Sequence, residues 1–331
     1  MKLIQGLAVL LLLMAAAPAH ADDSSAANCE DYERSAAARI ADCTEALAVP
    51  EIDPLQKARL LSSRGWAHVD RAEHAEAEAD FTAAVSEASF MQRLMASLLA
   101  SAKDPEAVDR VTPYGDAFLG RSWMEAEEGK HDEAIADAEL AAKWFQSPAR
   151  DSDAEDMIAY TERLRGDPAA AEIHYKKSEE IYGSNAYDKF SYATLLIELG
   201  RDTEALTLLR DSVHLSNYYG YPNLWLYLRS DDREEGLRAV QSYADDAKTW
   251  PVPIARYLLG SIDADALLRE AEGATPAKTK ENLCEAHYYI AEALRLAGKP
   301  EEARPHYQAV IDTGVAWFLE YASAKLWLAK N

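Results

Sequence analysis

The chain has 331 residues, a formal net charge of −23 and 49% apolar residues, with 14 glycines, 13 prolines and three cysteines. That length suffices for one elongated domain or two compact ones. So acidic a surface repels phosphate backbones and anionic lipid headgroups, which argues against nucleic acid and membrane surfaces as partners and favours a basic or mostly apolar protein segment.

Residues 1–21 open with Met1-Lys2, continue as an apolar run from Leu7 to Ala17 and end in Ala19-His20-Ala21. A short positive start, an apolar stretch and an A-x-A ending predict a secretory signal peptide. The run falls short of the about 20 apolar residues a bilayer span needs. The sequence therefore predicts an exported chain, periplasmic or secreted, with no membrane insertion after cleavage. Cys29 lies eight positions beyond Ala21, too far for a lipid-anchored first residue.

Residues 22–57 read as an N-terminal half-repeat, with Ile40, Cys43 and Leu47 on one stripe. In an oxidising compartment Cys29 and Cys43 are the natural disulfide pair and Cys284 is left single. One continuous helix would hold the two about 21 Å apart, whereas a disulfide needs Cα atoms within roughly 7 Å. The bridge therefore requires a chain reversal, which Ser35 could supply as the N-cap of a second helix.

From residue 58 to 250 the chain shows helical periodicity punctuated by a recurring pattern. Gly129-Lys-His-Asp-Glu-Ala134, Gly166-Asp-Pro-Ala-Ala-Ala171, Gly200-Arg-Asp-Thr-Glu-Ala205 and, further on, Gly298-Lys-Pro-Glu-Glu-Ala303 all read G-x4-A. The glycine suits a left-handed helix end, Pro168 and Pro300 suit the first turn of the next helix, and the alanine lets two helices approach closely. Ala77 with Phe81, Ala171 with Tyr175, Ala205 with Leu209 and Ala303 with Tyr307 set a small residue four positions before a large one, and Ala171 and Ala205 are 34 residues apart. In period and spacing this resembles the tetratricopeptide-repeat (TPR) family. The resemblance implies an all-α solenoid of antiparallel helix pairs, about five to six repeats, with approximate units at 58–91, 115–148, 152–185, 186–219, 217–250 and 284–317.

Residues 92–114 do not fit the period and read as an irregular insert. Residues 251–331 read as an irregular connector, a final repeat and a capping helix over 319–330. In that tail Trp250, Tyr257-Leu-Leu-Gly260, Cys284-Glu-Ala-His-Tyr-Tyr-Ile290 and Phe318-Leu-Glu320-Tyr321 resemble the C-terminal half of NlpI-type envelope TPR adaptors. That resemblance implies a protein without chemistry of its own that brings envelope enzymes together, often as a dimer.

The TPR register implies an inner face built from positions 2, 5, 9, 12 and 13 of each unit. It places Trp66, Trp123, Tyr160, Thr194, Trp225 and Glu292 at position 9, with Tyr187, Phe190, Tyr218, Tyr221 and Tyr288 at neighbouring inner positions. Asp70, Asp116, Glu127, Asp153, Asp156 and Glu198 lie among them. Aromatic rings interleaved with carboxylates suit a peptide carrying apolar and basic side chains. Three uses of these rings stay open at this point: a ligand surface, packing between repeats, or self-association into a homodimer.

Candidate chemistry is sparse. His68 and His74 bracket an H-x4-E-H pattern, one residue off the spacing that sets two zinc ligands on one helix face. Cys284 and His287 stand one turn apart without a second pair. No nucleophile elbow, phosphate loop or dinucleotide fingerprint occurs, so the expectation is a non-enzyme with neither cofactor nor metal. The alternative is an enzyme whose site sits on the non-repeat inserts.

Overall fold

A short polar residue followed by proline starts many of the helices. Asp53 before Pro54, Ser147 before Pro148, Asp167 before Pro168 and Thr275 before Pro276 each accept a backbone N–H from the first turn. Proline at the first helical position has no N–H to leave unpaired, and the cap satisfies one of those that remain. The computed structural model describes residues 23–95, 112–145, 147–215, 220–246, 249–273 and 275–330. Residues 1–21, read above as a signal peptide, residues 96–111 of the insert and Tyr218 lie outside them.

The described residues are helical without a strand, and the chain divides into two compact units. Unit 1 comprises residues up to 70 with 74–117, and unit 2 comprises 71–73 with 118–331.

Unit 1 contains α1 (Asp23–Cys29), α2 (Ala36–Leu47), α3 (Pro54–Val69), α4 (His74–Met95) and the first turns of α5 (Thr112–Glu127). Ser35 caps α2 through its hydroxyl, which accepts from the Ala38 N–H at 3.3 Å. The reversal between α1 and α2 brings Cys29 and Cys43 into a disulfide with Cα atoms 4.7 Å apart. Both sulfurs sit in a small core with Ala46 and Leu60. Buried Arg39 ties the reversal to α3, donating to the Cys29 carbonyl at 3.3 Å and the Ser63 carbonyl at 3.1 Å. At the crossing of α3 and α4, Gly65 faces Phe81 so closely that a β-carbon would lie 2.7 Å from the ring. Reducing the disulfide, or replacing Cys43 by serine, removes a short-loop cross-link worth about 3 kcal/mol in the chain-entropy model. Urea denaturation followed with and without reductant should show this loss. Coincident curves would mean that the cross-link does not restrain the chain.

Unit 2 continues α5 and adds α6 (His131–Trp144), α7 (Pro148–Arg165), α8 (Pro168–Tyr182), α9 (Ala186–Glu198) and α10 (Asp202–Leu215). Then follow α11 (Tyr221–Arg229), α12 (Arg233–Asp246), α13 (Val252–Leu258), α14 (Ala264–Glu270), α15 (Pro276–Leu296), α16 (Pro300–Asp312) and α17 (Leu319–Lys330). Helices α7 with α8, α9 with α10, α11 with α12 and α15 with α16 pack as pairs. Gly166 shows how the pairs turn: its φ of 91° lies in the left-handed region, and the Asp167 N–H reaches back to the Glu162 carbonyl at 2.9 Å. The same closure recurs after Gly129, Gly200 and Gly298, satisfying carbonyls a helix end leaves orphaned. Ala171, Ala205 and Ala303, with Tyr175, Leu209 and Tyr307 one turn later, are all buried in one continuous core.

A recurring ion pair also joins the two helices of a hairpin. Arg121 Nε and Nη2 donate to the two Asp137 oxygens at 2.5 and 2.9 Å, sixteen residues on, and Arg64 does the same to Asp80 at 2.7 and 2.6 Å. Each is a forked pair locking the first helix of a hairpin to the second.

The connector read as irregular contains two seven-residue helices, α13 and α14. The last helix, α17, does more than cover the final repeat: it packs on α15 and α16 and also touches α9. Among the described residues no helix is long and apolar enough to cross a membrane.

Candidate functional site

The first helices of successive pairs in unit 2 converge on a cavity of about 200 Å³. Trp123 comes from α5, Tyr160 and Arg163 from α7, Tyr187 and Phe190 from α9, Tyr221 from α11 and Glu285 from α15. Tyr175 of α8 joins them. The remaining wall is the stretch Trp317 to Glu320, where the chain turns from α16 into α17.

Five residues assigned to the inner face therefore meet in one place: Trp123, Tyr160, Tyr187, Phe190 and Tyr221. Tyr187 is 50% exposed. Trp225 and Tyr288 do not join them as a surface. They are 0% and 1% exposed and stack on each other with ring centroids 5.6 Å apart, and Phe190 meets Trp225 edge-on at 6.2 Å. The reason is that α15 packs directly against α11, which turns two inner-face rings into core; Phe190 is itself 2% exposed. Trp66 belongs to unit 1, where it lies edge-on to Phe81 at 5.2 Å.

The acidic residues divide similarly. Glu198 holds Arg163 in a forked ion pair, one arm of which is 3.0 Å, and Asp153 pairs with Arg150. Asp70 pairs with Arg39 at 3.4 Å in unit 1. Asp156 of α7 is buried, as is Asp188 of α9, which accepts from Ser178 Oγ at 2.9 Å. Burial pushes both carboxyls up, Asp188 to about 7, and the charge of Asp188 raises Asp156 further. Thr194 and Glu292 are buried.

Two further carboxylates, Glu285 and Glu320, stand on the cavity wall. Glu285 accepts from the Tyr221 hydroxyl at 2.9 and 3.0 Å and from Trp250 Nε1 at 2.6 Å. Burial, then the nearby charge of Glu320, pushes its carboxyl up to about 8. Glu320 accepts from the Tyr289 hydroxyl at 3.4 Å and is raised by the same burial. Two buried carboxylates so placed cannot both ionise without large cost. Arg163 and Glu285 stand at inner positions 12 and 2 of their units, so the repeat register carries the signal that would place both on the inner face.

Among the described residues no three His, Cys, Asp or Glu side chains gather as a metal site. Cys284 is buried, and His287 Nδ1 lies 3.0 Å from His306 Nδ1. Burial, and for His287 the neighbouring ring, lowers both imidazoles, His287 to about 4.

Residues 285–313, which span most of α15 and α16, match the family model described as Tetratricopeptide repeat. In that repeat the Gly298 turn, Ala303 and Tyr307 occupy the places the period predicts. No curated protein matches the chain. Among solved structures it is similar to the apo form of the quorum sensor NprR from B. thuringiensis, at 15% identity and a TM-score of 0.49, covering 85% of this chain and 83% of that one. It is also similar to YrrB, described as a TPR protein with an unusual peptide-binding site, at 14% identity and a TM-score of 0.33, covering 61% and 91%. TTC0263, a thermophilic TPR protein of Thermus thermophilus, stands at 14% identity and a TM-score of 0.39, covering 62% and 90%.

Proposed function

We propose that this protein is an exported adaptor that holds a segment of a partner protein against the inner face of unit 2. The observation that carries the reading is the convergence of Trp123, Tyr160, Tyr187, Phe190 and Tyr221 on a single cavity. Aromatic rings on rigid helices give large contact area for little lost side-chain freedom, which is the usual make-up of binding hot spots. The leader read in residues 1–21 and the likeness of the tail to NlpI-type adaptors favour a partner in the envelope or outside the cell. The acidic surface favours a segment with basic character.

Partner capture from an envelope extract tests this. Trp123→Ala combined with Tyr187→Ala removes two cavity rings without touching the Trp225–Tyr288 stack. Capture should fall at least about tenfold, the effect of losing roughly 1.4 kcal/mol of binding, with helicity by circular dichroism unchanged. Equal capture by the double variant would remove the basis for the assignment.

A further inference from the structure

The cavity carries an imbalance of charge. Glu285 and Glu320 line it at 5% and 4% exposure. Among the described residues their hydrogen-bond donors are neutral: the Tyr221 hydroxyl and Trp250 indole on Glu285, the Tyr289 hydroxyl on Glu320. Arg163, the lining cation, is already paired with Glu198. Among the described residues no lysine or arginine forms an ion pair with either glutamate. A third polar group on the same wall, the buried Tyr175 hydroxyl, has no hydrogen-bond partner among the described residues. Buried carboxylates are stable only when paired or protonated; here burial favours the protonated form, and a cation entering the cavity would meet two carboxyls that no lysine or arginine among the described residues holds in an ion pair.

We propose that the cavity receives the ammonium group of a lysine side chain carried by the bound segment, enclosed by Trp123, Tyr160 and Tyr187 and neutralised by Glu285 and Glu320. The inference rests on the peptide-binding reading above and names the chemistry of its anchor. The size favours a side-chain end, because about 200 Å³ is below the roughly 300–1,000 Å³ that whole small ligands occupy. The acceptor geometry favours ammonium over guanidinium. The two carboxylates arrive from different helices, which suits three freely rotating donors better than a planar fork made for a single carboxylate. Ring faces around a cation add cation–π attraction, strongest where water is excluded. Binding would also displace the proton that burial keeps on the glutamate pair. The charged and titratable groups facing that pair are Lys278 (itself paired with Glu281), Cys284, Tyr288 and Tyr289 of α15, Tyr221 of α11, Tyr243 of α12 and Arg163 of α7.

The test is titration of the purified full chain with Nα-acetyl-lysine amide, read by calorimetry and by the fluorescence of the wall indoles Trp123 and Trp317. Nα-acetyl-norleucine amide, the arginine amide and choline serve as comparison ligands. The lysine probe should bind at least tenfold more tightly than norleucine and arginine, and calorimetry in buffers of different ionisation enthalpy should show proton release near pH 7. Glu285→Gln and Glu320→Gln keep an oxygen for the donors around them, and each should weaken lysine at least tenfold while leaving norleucine unchanged. Tyr187→Ala, at a half-exposed position, should weaken it without altering helicity, so the inference stays testable if a buried variant misfolds. Norleucine binding as well as lysine, choline binding where lysine does not, or no saturation by lysine at tens of millimolar would each overturn it. Partner capture lost in the Trp123/Tyr187 double variant but intact in Glu285→Gln would sink the lysine anchor and leave the adaptor reading standing. Capture intact in both would sink the two together.

Discussion

Replacing Glu292 by alanine should cost about 3–5 kcal/mol of folding stability, the range seen when one partner of a buried ion pair is removed. Glu292 is 3% exposed, and four hydrogen bonds meet on its carboxylate. Arg229 Nη1 donates at 2.6 Å, Arg295 Nε and Nη2 at 3.1 and 2.8 Å, and the Tyr307 hydroxyl completes the set. Burial alone would raise this carboxyl. Arg229, then Arg295 and the Tyr307 hydroxyl, outweigh that and hold it at about 2. Alanine would leave Arg229, seated over the Trp225 ring, without its counter-charge, and Arg295 and Tyr307 without an acceptor. The midpoint of urea unfolding should fall at unchanged m-value. Glu292→Gln, which keeps an acceptor and loses the charge, should fall between alanine and the parent. A loss below about 1 kcal/mol for alanine would show that the arginines reach solvent, and that the network is not what joins α11 to α15.

Glu292 also shows where sequence reading stops. The helix pairs were readable because their determinants are local: a left-handed turn demands glycine, as at Gly166, and a close crossing demands a small residue, as at Ala171 and Ala303. The Cys29–Cys43 reversal was readable in outline for the same reason, since Ser35 marks a helix start and chain geometry forbids the alternative. The inner face was only half readable. Register says which side of a helix a residue occupies, and Trp123, Tyr160, Tyr187, Phe190 and Tyr221, set on one side by it, line one cavity. It cannot say whether another helix covers that side, and α15 covers Trp225, Tyr288 and Glu292. For that reason Trp225→Ala, with a fully buried indole, would probe core packing and not ligand capture. The path of the last segment was not readable at all. Glu320 in the run Phe318-Leu-Glu320-Tyr321 looks like a surface charge at the start of a terminal helix. Its burial beside Tyr289 depends on contacts across some thirty residues, which no local pattern encodes.

The buried carboxyls set the second large effect: stability should fall as pH rises from 6.5 to 8.5. Glu285 stands at about 8 in the folded chain, against 4.5 for an unperturbed glutamate, with burial the main cause and the charge of Glu320 next. Asp188 and Glu125 stand at about 7, again chiefly through burial. Between its unfolded and folded values each such group carries a proton in the native state that the unfolded chain has already released. Their contribution is therefore whole below about pH 4.5, declines as pH climbs toward the folded value, and is gone above it. At about 1.4 kcal/mol per pH unit for one proton, Glu285 alone accounts for on the order of 2 kcal/mol between pH 6.5 and 8. The depressed groups do not mask this. Glu292 and Glu172, both at about 2, lose their contribution only below pH 4.5, and His287, at about 4, loses its contribution only below 6.5. Among the described residues the raised carboxyls dominate the chosen window, because the buried tyrosines and the Cys284 thiol are raised from ordinary values of 10 and 9 and their contributions begin to be lost only near and above those values. Thermal unfolding across pH 6.5–8.5 should therefore give a falling midpoint, and Glu285→Gln, which carries no titrating proton, should flatten the slope. A midpoint that is level or rises over that window, or a slope that Glu285→Gln leaves untouched, would mean that the carboxyl is ionised in the folded protein. The cavity would then already hold the negative charge that a bound ammonium would have to neutralise.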